Sequence, residues 1–207
     1  MDIPHLLVGL RPHVARNGWR SRCGYHRLPR LLLVSERVCM RRLLVALSLL
    51  ALQSGLAFAQ PQWREFRSDA DGFTVSLPET PAITSRRIGS SNATQTNFLI
   101  ESGPITYLVS LIQLEKGTGP KNPDRTYFQN LMKNYTEGSS TTLRSSKLTT
   151  IAGTPGIDGI SDAGNSAHQV QVLAAGDRIY MVVYVGPKGQ ENSADPTRFR
   201  SSFMLIN

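Results

Sequence analysis

Within residues 60–207, His168 is the one histidine, and its imidazole is the side chain best suited to move a proton near neutral pH. Ser161, Asp162 and Ser166 lie close to it along the chain, so the parts of a hydrolytic set are present. Such a set also needs its nucleophile on a constrained turn and donors for an oxyanion. The chain has no Gly-x-Ser-x-Gly elbow, and Gly164-Asn165-Ser166-Ala167-His168 reads as a turn entering a strand. The expectation is a partly exposed histidine at a strand start. A hydrolase or transferase centred on His168 is the competing class.

Two carboxylate groupings invite a metal. Asp69-Ala70-Asp71-Gly72 imitates the first half of a calcium loop, but the fifth position is Phe73 and the twelfth is Thr80. A turn at Asp71-Gly72 is expected instead. Asp158 and Asp162 form a looser pair, for which a structural role is expected. Cys23 and Cys39 both fall before residue 60, which leaves the later part without a thiol nucleophile, a disulfide or a zinc-finger set. No catalytic residue, metal or cofactor is assigned. Gly117-Thr118-Gly119-Pro120-Lys121 lacks the spacing of a phosphate-cradling loop. The loop 115–123, with Lys116 and Lys121, and the turns at Asn165 and Lys188-Gly189-Gln190 could carry a binding surface. A flexible polar connector is the plainer expectation for each.

The 207-residue chain has a formal charge of +8, which invites nucleic acid. Its distribution removes the invitation. Residues 1–59 hold nine Arg against two acids, whereas residues 60–207 hold fourteen Lys and Arg against thirteen Asp and Glu. Arg86-Arg87 and the pair Lys121 and Arg125 make no basic stripe, so no nucleic-acid partner is expected.

Residues 40–59 have the layout of a secretory signal. Arg41 and Arg42 give a positive start, residues 43–56 are apolar, and Ala57-Phe58-Ala59 is a small-x-small cleavage site before Gln60. The apolar run is shorter than the roughly 20 residues of a spanning helix, so cleavage is expected, with no stable membrane span afterwards. The expected destination is periplasmic or secreted. Residues 1–39 have no sustained period and are read as over-translated or disordered leader before a true start at Met40. A two-part organelle presequence is the alternative, since this segment is rich in Arg and poor in acids, though also poor in Ser. It would make the chain an organelle-lumen extrinsic protein.

The elements that must position these groups follow from periodicity. Residues 60–70 read as a polar lead-in with Trp63 and Phe66. Alternation gives strands at 73–77, 83–88 and 93–100. Residues 105–114 and 178–186 are apolar on both faces, as in strands covered on both sides. Residues 141–151 and 167–174 are further strands, 156–161 is a short edge, and Ala175-Gly176-Asp177 links a hairpin. Asp124 caps a helix through about Glu137, with Tyr127, Phe128, Leu131, Met132 and Tyr135 on one stripe. Asp195-Pro196 opens a short helix over 196–202 that places Phe199 and Phe203 on one face. The fold class is α+β: an antiparallel sheet of about seven strands, with the long helix on one face. The short C-terminal helix, together with the Trp63 and Phe66 segment, covers the other.

Three stretches then carry a resemblance. Asp71-Gly72-Phe73-Thr74-Val75-Ser76-Leu77-Pro78 looks like a Gly-Phe-x-x-x-hydrophobic-Pro opening. Arg178-Ile179-Tyr180-Met181-Val182-Val183 looks like a central strand, and Arg198-Phe199-Arg200-Ser201-Ser202-Phe203 looks like an Arg-Phe-x-x-Ser-Phe ending. In their order and spacing, residues 60–207 resemble the PsbP-like family as a single domain. The resemblance implies an α/β/α sandwich around an antiparallel sheet. It brings no functional residue with it, because the metal- and partner-binding residues of the photosystem members match nothing in this sequence, and it sets no activity, because that fold serves unrelated binding roles. The function expected is binding or assembly support, without catalysis, for an unidentified protein or small ligand of the cell envelope.

Overall fold

The computed structural model describes residues 62–89 and 92–206. The signal-like segment with Ala57, Ala59 and Gln60, and the leader before it, lie outside the described residues. In chain order the elements begin with β1 (Arg64–Ser68), β2 (Phe73–Leu77), β3 (Ala82–Arg87), β4 (Thr94–Ser102) and β5 (Ile105–Gln113). Helix α1 (Arg125–Gly138) follows, then β6 (Thr142–Ile151), β7 (Thr154–Ala163), β8 (Ser166–Ala175) and β9 (Arg178–Pro187). Helix α2 (Ala194–Ser201) and β10 (Met204–Leu205) close the chain. The architecture is mainly β. Seven strands form one antiparallel sheet in the order β3-β4-β5-β9-β8-β7-β6, and three form a smaller sheet, β1-β2-β10.

The two strands expected to be covered on both faces, β5 and β9, pair with each other at the centre of the large sheet. Alternation along each sends side chains to opposite faces. Tyr107, Val109 and Leu111 join Tyr180, Val182 and Tyr184 in one core, whereas Leu108 and Ile112 join Ile179, Met181 and Val183 in another. Each fully buried apolar side chain there stabilises the fold by about 1.5–3 kcal/mol relative to exposure.

Helix α1 starts where Asp124 places its Oδ1 2.8 Å from the Tyr127 N–H, as a capping carboxylate should. Its stripe of Phe128, Met132 and Tyr135 is buried against β6, β7 and β8. Helix α2 packs against β2 and β9 and buries Phe199, with Phe203 just beyond it.

Three expectations need correction. The polar lead-in is β1: Phe66 pairs with Val75 in an antiparallel ladder, which a single apolar residue in five could not signal. That ladder, with β10 on the far side of β2, adds a small sheet to the cover expected of the C-terminal helix. The short edge at 156–161 is the middle of a ten-residue internal strand, β7, lying between β6 and β8. Its start hid in Gly153-Thr154-Pro155-Gly156. The reversal is at Ala152-Gly153, both at positive φ as a two-residue hairpin turn requires, and Thr154 already pairs with Ile151.

Candidate functional site

His168 sits on β8 opposite Ser161 of β7, and both side chains face α1. Tyr135, near the end of that helix, meets the ring: its hydroxyl lies 2.8 Å from His168 Nδ1, and the rings pack edge to face. The imidazole is thereby held by a phenol instead of a carboxylate. Burial pushes the His168 pKa down, against an upward pull from Asp162, and burial pushes the Tyr135 phenol up. Both groups stay neutral at pH 7.

Asp162 cannot take the orienting role. It is the next residue after Ser161, so the pleat sends it to the opposite face. There it forms an ion pair with Arg144, at 2.5 Å, and with Lys188, at 3.4 Å. Arg144 also holds Glu191 at 2.8 Å, and the Glu191 carboxyl is buried to 6% exposure. Hydrogen bonds from Arg144 hold Asp162 below the usual carboxylate range, and Lys188 adds to this. Glu191 is lowered by its own backbone N–H and by Arg144. Arg144 reaches these partners because a bulge between Leu143 and Ser145 breaks the β6 ladder there. The four charges tie the start of β6 to the β9–α2 connection. Ser161 Oγ is buried without a hydrogen-bond partner among the described residues. Ser161, Asp162 and His168 are thus close, but they do not form a relay.

The calcium-like grouping resolves into a turn. Ser68 donates its hydroxyl to Asp71 at 2.6 Å, Asp69 pairs with Arg67, and the Asp71 carbonyl accepts from Tyr180 at 2.8 Å. Gly72 takes φ +72°, a backbone conformation that favours glycine, and a Cβ there would displace the end of the Arg178 side chain. Among the described residues, no three His, Cys, Asp or Glu side chains gather closely enough to hold a metal ion.

The loop expected to be a flexible connector is pinned. Asp177, in the β8–β9 turn, accepts the N–H groups of Gly117 and Gly119, each at 2.8 Å. The Leu114 N–H reaches the Asp177 carbonyl at 2.8 Å. Those two N–H groups hold the Asp177 carboxyl below the usual range. Gly119 passes so near the Gly176 carbonyl that any side chain would strike it.

A polar row that the sequence did not single out as a unit lies on the other face of the sheet. Lys147 of β6 stands opposite Asp158 of β7, which stands opposite Gln171 of β8. Arg200 of α2 closes over the row and holds Asp158 at 2.6 Å. The row borders a cleft of about 230 Å³ that Thr149, Ile151, Phe203 and Met204 also line. The expected pair Asp158 and Asp162 is therefore split, four residues apart on one strand and each given its own arginine. The signal available was a charged or amide residue inside each of three strands. Without the register it pointed nowhere.

The class this fold defines is an antiparallel-sheet domain whose large sheet carries helices α1 and α2. No family model matches the chain, and no curated protein matches it. Among solved structures it is similar to cyanobacterial PsbP (CyanoP) from Synechocystis sp. PCC 6803, with 14% identity and a TM-score of 0.48 over 74% of this chain and 96% of that one. It is also similar to a protein from Bacteroides thetaiotaomicron VPI-5482, with 13% identity and a TM-score of 0.34 over 70% of this chain and 49% of that one. The chain thus spans about half the length of the second structure. PsbP is the family that the three sequence stretches resemble. At these identities the likeness gives no residue a role.

Proposed function

We propose that this chain is exported and serves outside the cytosol, in the periplasm or as a secreted protein, as a non-catalytic binding or assembly-support domain. The partner is a protein or small ligand of the cell envelope. The observation that carries this reading is the engagement of His168. Its ring is held by the Tyr135 hydroxyl, while the adjacent carboxylate, Asp162, is spent on Arg144 and Lys188. Tyr135 holds Nδ1 and leaves Nε2, but Ser161 Oγ makes no hydrogen bond to it among the described residues, and a general base also needs a group that steadies its charged form. Burial of His168 disfavours the charged form instead. Support for export comes from the leader chemistry of residues 40–59, with cleavage between Ala59 and Gln60. Among the described residues, no helix is long and apolar enough to cross a membrane.

The same reading takes the layers as an α/β/α sandwich. Helix α1 lies over one core, and α2 with β1, β2 and β10 lies over the other. N-terminal sequencing of the protein from its native envelope fraction tests the export: a start at Gln60 is expected. Cross-linking in that compartment is expected to capture an envelope component, and His168→Ala is expected to leave the capture unchanged. An uncleaved chain in the cytosol, or an activity abolished by His168→Ala with the fold intact, overturns the reading.

A further inference from the structure

The cleft beside Arg200 has a composition that selects its contents. Its polar wall is the row Lys147, Asp158 and Gln171 with Arg200 above it, and Thr149 adds a hydroxyl. Two cations stand against one carboxylate, which leaves one positive charge to be met. The Arg200–Asp158 pair is mostly buried, with side chains 15% and 21% exposed. Asp158 is held through one Nη of the guanidinium, and Arg200 Nε and Gln171 Oε1 have no hydrogen-bond partner among the described residues. Lys147 forms no ion pair among the described residues and stands on the exposed edge strand β6. Both of those partnerless atoms are closed off from solvent, so the cations that the cleft presents to a ligand are Lys147 and the exposed part of the Arg200 side chain. Thr150 and Ser201 add further hydroxyl residues, and the apolar part of the wall is Ile151, Ala152, Phe203 and Met204, the last 51% exposed at the rim.

We propose that this cleft binds a small organic acid with a single carboxylate and a short apolar body. This rests on the proposed binding role and names its ligand class. The carboxylate meets Lys147 and Arg200, the two cations that line the cleft. One negative charge balances the site. A phosphate dianion would leave a second charge facing Asp158. The volume of about 230 Å³ lies below the roughly 300 Å³ at which pockets for larger ligands begin, so a small acid fills the cleft better than a nucleotide does. The apolar body lies against Met204 at the rim, the exposed apolar side chain of the wall.

The experiment is a ¹⁵N NMR titration of the full chain with sodium butyrate, with sodium phosphate and butylammonium chloride as matched arms. Butyrate is expected to give saturable shifts at Lys147, Thr149, Gln171 and Ser201, and the other two salts none that saturate. Lys147→Glu, on an exposed strand edge, is expected to weaken butyrate about tenfold or more, and Lys147→Arg to retain it. Arg200→Gln is expected to abolish binding, provided the spectrum remains folded. No saturable shift, equal response to phosphate, or indifference to Lys147→Glu overturns the proposal. A flat titration alongside a captured envelope partner removes this site and leaves the binding role. An uncleaved cytosolic chain removes the role whatever butyrate does.

Discussion

On one face of the large sheet the cover is a continuous piece of chain. Helix α1 lays Phe128, Met132 and Tyr135 over an aliphatic floor of Ile157, Val170, Val172, Met181 and Val183. On the other face the cover is assembled from both ends of the described chain. Phe73 is its hub, packed with Phe66, Phe98, Tyr180 and Phe203. Phe199 and Trp63 meet Tyr107, and Arg198 lies over the Trp63 ring at 5.3 Å. The first face needs only local helix formation before it docks. The second joins segments more than a hundred residues apart, and it is where all three stretches of the PsbP resemblance converge. The Gly72-Phe73 opening, the Tyr180 strand and the Phe199 to Phe203 ending pack into one aromatic core. Those motifs therefore record how the chain ends are closed, which explains why they reveal fold and not activity.

The sharpest way to break this comparison is to remove one anchor from each face. Phe73→Ala is expected to cost about 3–5 kcal/mol, since a fully buried ring is lost from a four-ring contact. Met132→Ala, equally buried on the α1 face, is expected to cost less, toward the lower part of the 2–5 kcal/mol range. Urea denaturation gives both numbers. Hydrogen exchange adds the location: Phe73→Ala is expected to expose β1 and β10 amides while α1 stays protected. A larger loss for Met132→Ala reverses the assignment of the aromatic face as the closing one.

A second test moves from the faces to the end of the sheet. The β5–α1 loop is tied to the β8–β9 turn with almost no space between them. Gly119→Ala is expected to cost about 1–3 kcal/mol, because its Cβ meets the Gly176 carbonyl and backbone must shift. A neutral result in thermal melts would mean the loop is the loose connector that its Gly and Pro content predicts.

Local patterns made much of this legible. The α1 stripe, the cap at Asp124 and the two-faced alternation of β5 and β9 each lie within about a dozen residues, and each appears where periodicity places it. What failed was non-local. Strand β10 is two residues long and exists through its pairing with Phe73 and Thr74. Strand β1 has one apolar side chain facing the core, and β7 begins inside a Thr-Pro-Gly run that imitates a turn. The site fared likewise. His168 was visible as an isolated residue, but its partner Tyr135 is thirty-three positions away on the helix. Lys147, Asp158, Gln171 and Arg200 become a group only through strand register and α2 docking.

The β5–α1 loop is pinned by the charge of Asp177. The Gly117 and Gly119 N–H groups hold the Asp177 carboxyl below its ordinary value. Its contribution is therefore present above the unfolded carboxylate range and is lost as pH falls through the lower folded value. Asp177→Asn is expected to lower stability at pH 7 and to flatten that acid-side loss. The change is expected to be smaller than for Gly119→Ala, because the carboxyl is open to water. Melts from pH 7 downward for the two proteins decide it. Parallel curves would detach Asp177 from the loop's order.

The smallest effect belongs to His168, and it separates the α1 face from the charge network behind it. Burial lowers its folded pKa below the ordinary 6.5, so the unfolded chain binds the proton more readily. Stability conferred by the neutral ring is present above that ordinary value and declines as pH falls toward the lower folded one. His168→Gln is expected to remove this slope while keeping a polar partner for the Tyr135 hydroxyl. Tyr135→Phe is expected to cost about 1 kcal/mol at pH 7, the net worth of one hydrogen bond. If His168 instead gained stability on acidification, Asp162 would have to dominate its environment across the sheet. The pair would then be an imidazolium–carboxylate couple, and Asp162 would no longer be fully committed to Arg144 and Lys188. The direction of one pH slope thus decides between a packed ring under a helix and the beginnings of a catalytic arrangement.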